Sequence, residues 1–108
     1  MAESTDVIQG TMDMLILKSL SLQAMHGFGV SRRIEQISDG VFRVNPGSLL
    51  LAFQRLERAG LIESEWRTSE NNRRARYYRL TRQGRKQLAA EVYDWERRAA
   101  AIARLLEA

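Results

Sequence analysis

The spacing of apolar residues switches from helical to strand-like at Gly60, and that switch constrains the fold more than any other feature of the 108-residue chain. Before it, Leu49, Phe53 and Leu56 stand at i, i+4 and i+7, the stripe of an amphipathic helix. Asn45-Pro46-Gly47-Ser48 starts that helix, because proline has the φ of a first turn and pushes its predecessor out of the αR region. Gln54, Arg55 and Arg58 fall off the stripe, and Gly60 suits the left-handed conformation that ends a helix. After it, Ile62, Ser64 and Trp66 alternate with Glu63 and Glu65, the period of a strand. Trp66 is expected to pack under the hairpin. Residues 68–72 are turn formers, and residues 74–80 read as the returning strand, with Tyr78 and Leu80 on one face. A helix that runs straight into a two-stranded hairpin with a basic tip is the pattern of a winged helix-turn-helix.

Charge supports a polyanionic partner through its distribution. The net charge is +4. From Arg67 to Lys86 there are eight basic residues and one acidic, a local +7, while the remaining nine basic and twelve acidic residues leave −3. Cysteine is absent, which excludes disulfides and thiolate sites and fits a reducing compartment. No apolar run is long enough to span a bilayer and no secretory leader is recognised, so a cytoplasmic location without membrane contact is expected.

Upstream, Met1 to Val7 reads as a polar, acidic tail. Thr11 is expected to cap a helix that buries Met12, Leu15, Ile16, Ser19 and Leu20, with Asp13 near the positive end of its dipole. His26-Gly27-Phe28-Gly29 interrupts the pattern, and His26 reads as a turn residue bonded to backbone. The next helix runs to about Ser38 with Val30, Ile34 and Ile37 inward, and Asp39-Gly40 ends it. Val41 to Val44 either adds a small third strand or packs Phe42 into the core. The two short helices and their turn form the helix-turn-helix unit.

The last element starts at Thr81, a suitable N-cap. Leu88, Val92, Trp95, Ala99, Ile102 and Leu106 are spaced 4, 3, 4, 3, 4, the a/d seam of a heptad pattern. A chain this short has little left to cover six seam positions, so a two-fold homodimer is expected, with Met12 and Leu15 joining the interface. Trp95 reads as core, or as the wall of an effector pocket at the interface.

Four blocks together resemble the PadR family of bacterial transcriptional regulators: residues 6–18, from Asp6 through Gln9-Gly10-Thr11 to Lys18; residues 25–35, with Met25-His26-Gly27-Phe28-Gly29; residues 42–49, with Asn45-Pro46-Gly47-Ser48-Leu49; and residues 72–84, with Arg73-Arg74-Ala75-Arg76-Tyr77-Tyr78-Arg79-Leu80-Thr81. The order and spacing agree over nearly the whole chain. The resemblance implies an α+β, mostly α fold: a winged helix-turn-helix over residues 1–80 and a C-terminal dimerisation helix over residues 81–108, in one compact unit. It further implies a repressor that binds DNA, and it allows a small aromatic or cationic effector. The chain departs from the family at Leu50 and Leu51, where the family carries tyrosine and proline. That tyrosine is implied as a DNA contact, so the usual sequence preference is in question at Leu50.

On this reading Arg73, Arg74 and Arg76, with Asn72 beside them, meet phosphates or a minor groove. Ser48, Gln54 and Arg55 face base edges or phosphates, Leu50 a thymine methyl, and Asn45 and Ser48 hold a phosphate at the helix start. The blander alternatives are a solvated arginine surface and ordinary exposed helix residues. A protein-interaction module on the same scaffold is the runner-up. An enzyme is disfavoured: there is no phosphate loop, no paired carboxylate cleft and no base beside Ser48. No cofactor or metal is expected, since one imidazole without thiolates makes a poor site.

Overall fold

A computed structural model describes residues 11–68 and 71–108. The expected acidic tail, and Ser69 and Glu70 of the expected turn, lie outside the described residues. Seven elements follow in order: α1 (Thr11–Leu22), β1 (Met25–His26), α2 (Gly27–Ile37), α3 (Pro46–Arg58), β2 (Ile62–Thr68), β3 (Arg74–Leu80) and α4 (Arg82–Glu107). This is the α+β, mostly helical winged-helix fold.

The helix starts follow from side chains that accept the first free N–H groups. Asn45 Oδ1 accepts from the Gly47 and Ser48 amides at 2.8 and 3.1 Å, and Pro46 opens α3. His26 Nδ1 accepts from the Gly29 amide at 3.1 Å and caps α2, as a backbone-bonded turn residue should. Thr81 Oγ1 accepts from the Gly84 amide at 3.0 Å and caps α4. Thr11, expected as a cap, is instead the first described helical residue of α1. At the far end of α3, Gly60 turns the chain at φ +79°, which releases it into β2 within three residues.

β2 and β3 pair antiparallel from Ile62 opposite Leu80 to Thr68 opposite Arg74. The third strand is β1, paired to β3 through Met25 opposite Tyr78 and His26 opposite Tyr77, which gives the order β1-β3-β2. Val41 to Val44 therefore adds no strand; Val44 is buried there and Phe42 packs against the core. Two residues carry no readable period, so only tertiary pairing reveals β1.

The core joins Ile16, Leu17 and Leu20 of α1 to Val30 and Ile34 of α2, Leu49, Ala52, Phe53 and Leu56 of α3, and Ile62, Tyr78 and Leu80 of the sheet. Leu17 is fully buried although it lies off the expected α1 face, whereas Met12 and Leu15 are only half-buried. Burying large aliphatic side chains at ~25 cal/mol per Å2 is the main stabilising contribution. Ile37, expected inward, is exposed: it sits in the last turn of α2, where Asp39 (φ 57°) and Gly40 (φ 81°) carry the chain away from any covering element.

α4 docks through its first turns. The Thr81 hydroxyl lies 2.8 and 3.0 Å from the Gly60 and Leu61 carbonyls as donor, and the Thr81 amide donates to the Leu61 carbonyl at 3.1 Å. Gly84 is buried against this corner, where a Cβ would run into the Leu61 carbonyl oxygen. The 26-residue helix, about 39 Å long at ~1.5 Å per residue, continues along α1 past Leu88 to Trp95 and on to Glu107, in a molecule of 56 × 32 × 20 Å.

Candidate nucleic-acid interface

The first turns of α3 and the hairpin open onto the same side. Leu50 of α3 and Arg76 of β3 border one groove of about 380 Å3, floored by Phe53 and Tyr78. These two rings stack with centroids 4.2 Å apart, and burial pushes the Tyr78 phenol pKa up. Phe28 and Leu50 form the exposed rim.

Along α3 the expected contact residues divide by role. Leu50, Leu51 and Gln54 are exposed, and Ser48 is half-buried. Asn45, expected with Ser48 to hold a phosphate, is exposed, but its side-chain oxygen already accepts from the Gly47 and Ser48 amides. Only its amide donors remain for an anion. Arg55 does not stand alone on the surface: its guanidinium binds Asp13 of α1 in a close ion pair. Sequence spacing gives no signal for that pairing, because 42 residues separate the partners.

The wing has two unlike faces, set by the alternation of strand side chains. On the outer face Arg79 donates to Glu63 and Arg67 to Glu65, each at 2.7 Å, and Arg67 also lies over the Tyr77 ring at 4.9 Å. The Arg67 hydrogen bond and charge hold the Glu65 carboxyl below its usual pKa. The cationic stretch beginning at Arg67 is thus partly neutralised by acids on the strand before it. On the face turned toward α3, Arg76 Nε donates to Ser64 Oγ at 2.8 Å, Ser64 donates to Glu57 Oε2 at 2.7 Å, and Arg76 lies 3.6 Å from the same carboxylate. This chain of bonds ties the wing to α3.

Above it stands Trp66, opposite Arg76 in the ladder. It is not packed under the hairpin as expected but is 55% exposed, because past Ser64 the ribbon projects beyond the core. The guanidinium carbons of Arg74 and Arg76 lie 5.3 and 5.6 Å from its ring centroid. Arg73 and Asn72 lie exposed at the tip, with Asn72 at φ 61°, a left-handed turn position that asparagine tolerates.

A second groove, of about 740 Å3, lies between α1 and α4, with Leu15 on one side and Leu88, Val92 and Trp95 on the other. Within one chain Trp95 is not core: it is 41% exposed, Ile102 53% and Leu106 81%, while Leu88, Val92 and Ala99 are half-buried. Among the described residues no group of three or more His, Asp or Glu side chains is placed to hold a metal, and no helix is long and apolar enough to cross a membrane.

Comparison with known proteins agrees with this geometry. An uncharacterised protein of Lysinibacillus sphaericus is 29% identical over 91 residues, covering 84% of each chain. The structure of a transcriptional regulator from Clostridium thermocellum superposes with a TM-score of 0.83 at 32% identity, covering 95% of this chain and 97% of the other. A PadR family transcription regulator from Clostridium difficile superposes with a TM-score of 0.78 at 25% identity, covering 90% and 99%. The model of the PadR-like transcriptional regulator family matches residues 16–90, and with the winged fold and the arginine-bearing hairpin in place, the chain belongs to that family.

Proposed function

We propose that this regulator is a homodimeric repressor that binds a pseudo-palindromic operator in double-stranded DNA. The observation that carries the reading is the shared groove: Leu50 at the start of α3 and Arg76 on the wing border it together, so both elements face one partner. In this reading α3 enters the major groove, with Gln54 and Ser48 toward base edges and Leu50 toward a thymine methyl. Asn72, Arg73 and Arg74 then reach phosphates or the minor groove. Arg55 and Arg76 hold the scaffold through Asp13 and Glu57 and make fewer contacts with DNA.

The apolar outer half of α4 supports a second copy as its cover, with Met12 and Leu15 at the margin. Residues 1–80 then form the DNA-binding part and residues 81–108 the dimerisation helix. Two recognition helices would sit ~34–36 Å apart, one turn of duplex. The groove between α1 and α4, walled by Trp95, suits a small aromatic or cationic effector whose binding shifts the dimer away from DNA.

A specific observation favours a second reading. Phe28 (68% exposed), Leu50 (52%) and Leu51 (63%) form an apolar rim that would suit a protein partner on the same scaffold. Salt dependence distinguishes the two. Duplex binding that falls linearly in log K against log salt, with a slope lowered by about two in the Arg73→Ala, Arg74→Ala double variant, supports the DNA reading. Absence of duplex binding at low salt would leave the protein-docking reading.

A further inference from the structure

Trp66 is a large apolar side chain in an unusual setting. It stands 55% exposed on a projecting ribbon, with arginines over its ring at 5.3 and 5.6 Å. Cross-strand and cation–π contacts with Arg76 and Arg74 use part of the indole, yet more than half of it is left in water. A cationic surface built to meet a sugar-phosphate edge has a use for that remainder, because deoxyribose carbons between phosphates offer an apolar strip for the ring. We infer that Trp66 is a DNA-contacting residue, supplying the wing with a non-ionic contact to the sugar edge of the duplex between two guanidinium groups. This rests on the DNA-binding reading above and adds a residue to it.

Three features of the geometry favour it. The ring has a held neighbour: Arg76, opposite Trp66 and over its ring, is itself bonded to Ser64 and Glu57, which limits the freedom lost on binding. A guanidinium held by an aromatic face through its charge has no N–H donor consumed by that contact, so Arg74 can rest on the indole and still donate to a phosphate. Finally, Trp66 shares the ribbon face with Arg74 and Arg76, the face turned toward α3, and not the outer face, where Glu63 and Glu65 neutralise Arg79 and Arg67.

The test is a salt titration of a fluorescein-labelled mixed-sequence duplex of about three helical turns, comparing wild type, Trp66→Ala, Trp66→Phe and Arg74→Ala by anisotropy. A thermal melt of each variant confirms folding, and Trp66→Phe keeps the test decisive if the alanine variant is unstable. Trp66→Ala should weaken binding about tenfold at every salt concentration, the scale of burying part of an indole, with the slope of log K against log salt unchanged. Trp66→Phe should recover most of that loss, whereas Arg74→Ala should flatten the slope by about one. Coincident lines for wild type and Trp66→Ala would overturn the inference and leave the DNA reading standing. A Trp66→Ala line that is flatter but meets wild type at high salt would also overturn it, by reducing the ring to a mount for the arginines. Failure of the wild type to bind duplex in dilute buffer would overturn both.

Discussion

At its root, α4 is fitted so closely that Gly84 has no room for a methyl group, while at its far end Ile102, Leu105 and Leu106 stand more than half exposed. One helix thus follows two rules. Its first turns are specified by this chain alone: the Thr81 cap, the Leu61 carbonyl and the Leu80 side chain fix where the helix leaves the wing. Its last turns are apolar and no described residue covers them, which is the basis for proposing a second surface there. The same contrast recurs in the wing. Its base is pinned through Ser64 and Glu57, while Trp66 and the arginines beyond are presented outward. Closed corners orient open surfaces, and it is on the open surfaces that the proposed partners would dock.

Substitutions at the two ends should therefore differ in kind. The largest effect is expected from Gly84→Ala, whose new Cβ must displace both the Leu61 carbonyl oxygen and the Leu80 methyl 2.7 Å away. A loss of about 3 kcal/mol or more in urea unfolding is expected, at the upper end of overpacking costs. Wild-type stability in that variant would break the comparison at its closed end. Next, Ile102→Asp should reduce the particle to a single chain by sedimentation and make its melting temperature independent of concentration, with α4 root contacts retained. An unchanged sedimentation coefficient would break the comparison at the open end.

A smaller change sharpens the view of closed corners. Asn45→Ala removes the acceptor for two amides and should cost about 1 kcal/mol in stability. It should also weaken DNA binding no more than the lost helix order explains. The smallest effect on stability belongs to Leu51→Ser, within about 0.5 kcal/mol because the side chain is 63% exposed. A larger loss there would mean that the outer edge of α3 is covered in solution.

The closed corners were the legible part of the sequence. Asn45-Pro46 and Thr81 announce helix starts because capping is local chemistry, and the change of period at Gly60 announces β2 because strand alternation is local too. The rest depended on distance in the chain. The strand at Met25–His26 exists only because Tyr77 and Tyr78 pair with it. Arg55 is drawn to Asp13 by packing of α1 on α3, and Ile37 is exposed because no described element lies over the last turn of α2. Trp66 was misplaced because hydrophobicity predicts burial only where something is available to bury against, and the ribbon outruns the core. At the candidate interface, the arginine cluster was legible as composition, whereas its division into a neutralised outer face and a presented inner face required the register.

In the proposed dimer the outer half of α4 is completed by another copy of the chain. Light scattering on the purified protein at micromolar concentration tests it most directly. The account predicts a particle of about twice the 12.4 kDa chain mass. A particle of one chain mass that persists as concentration rises would contradict it.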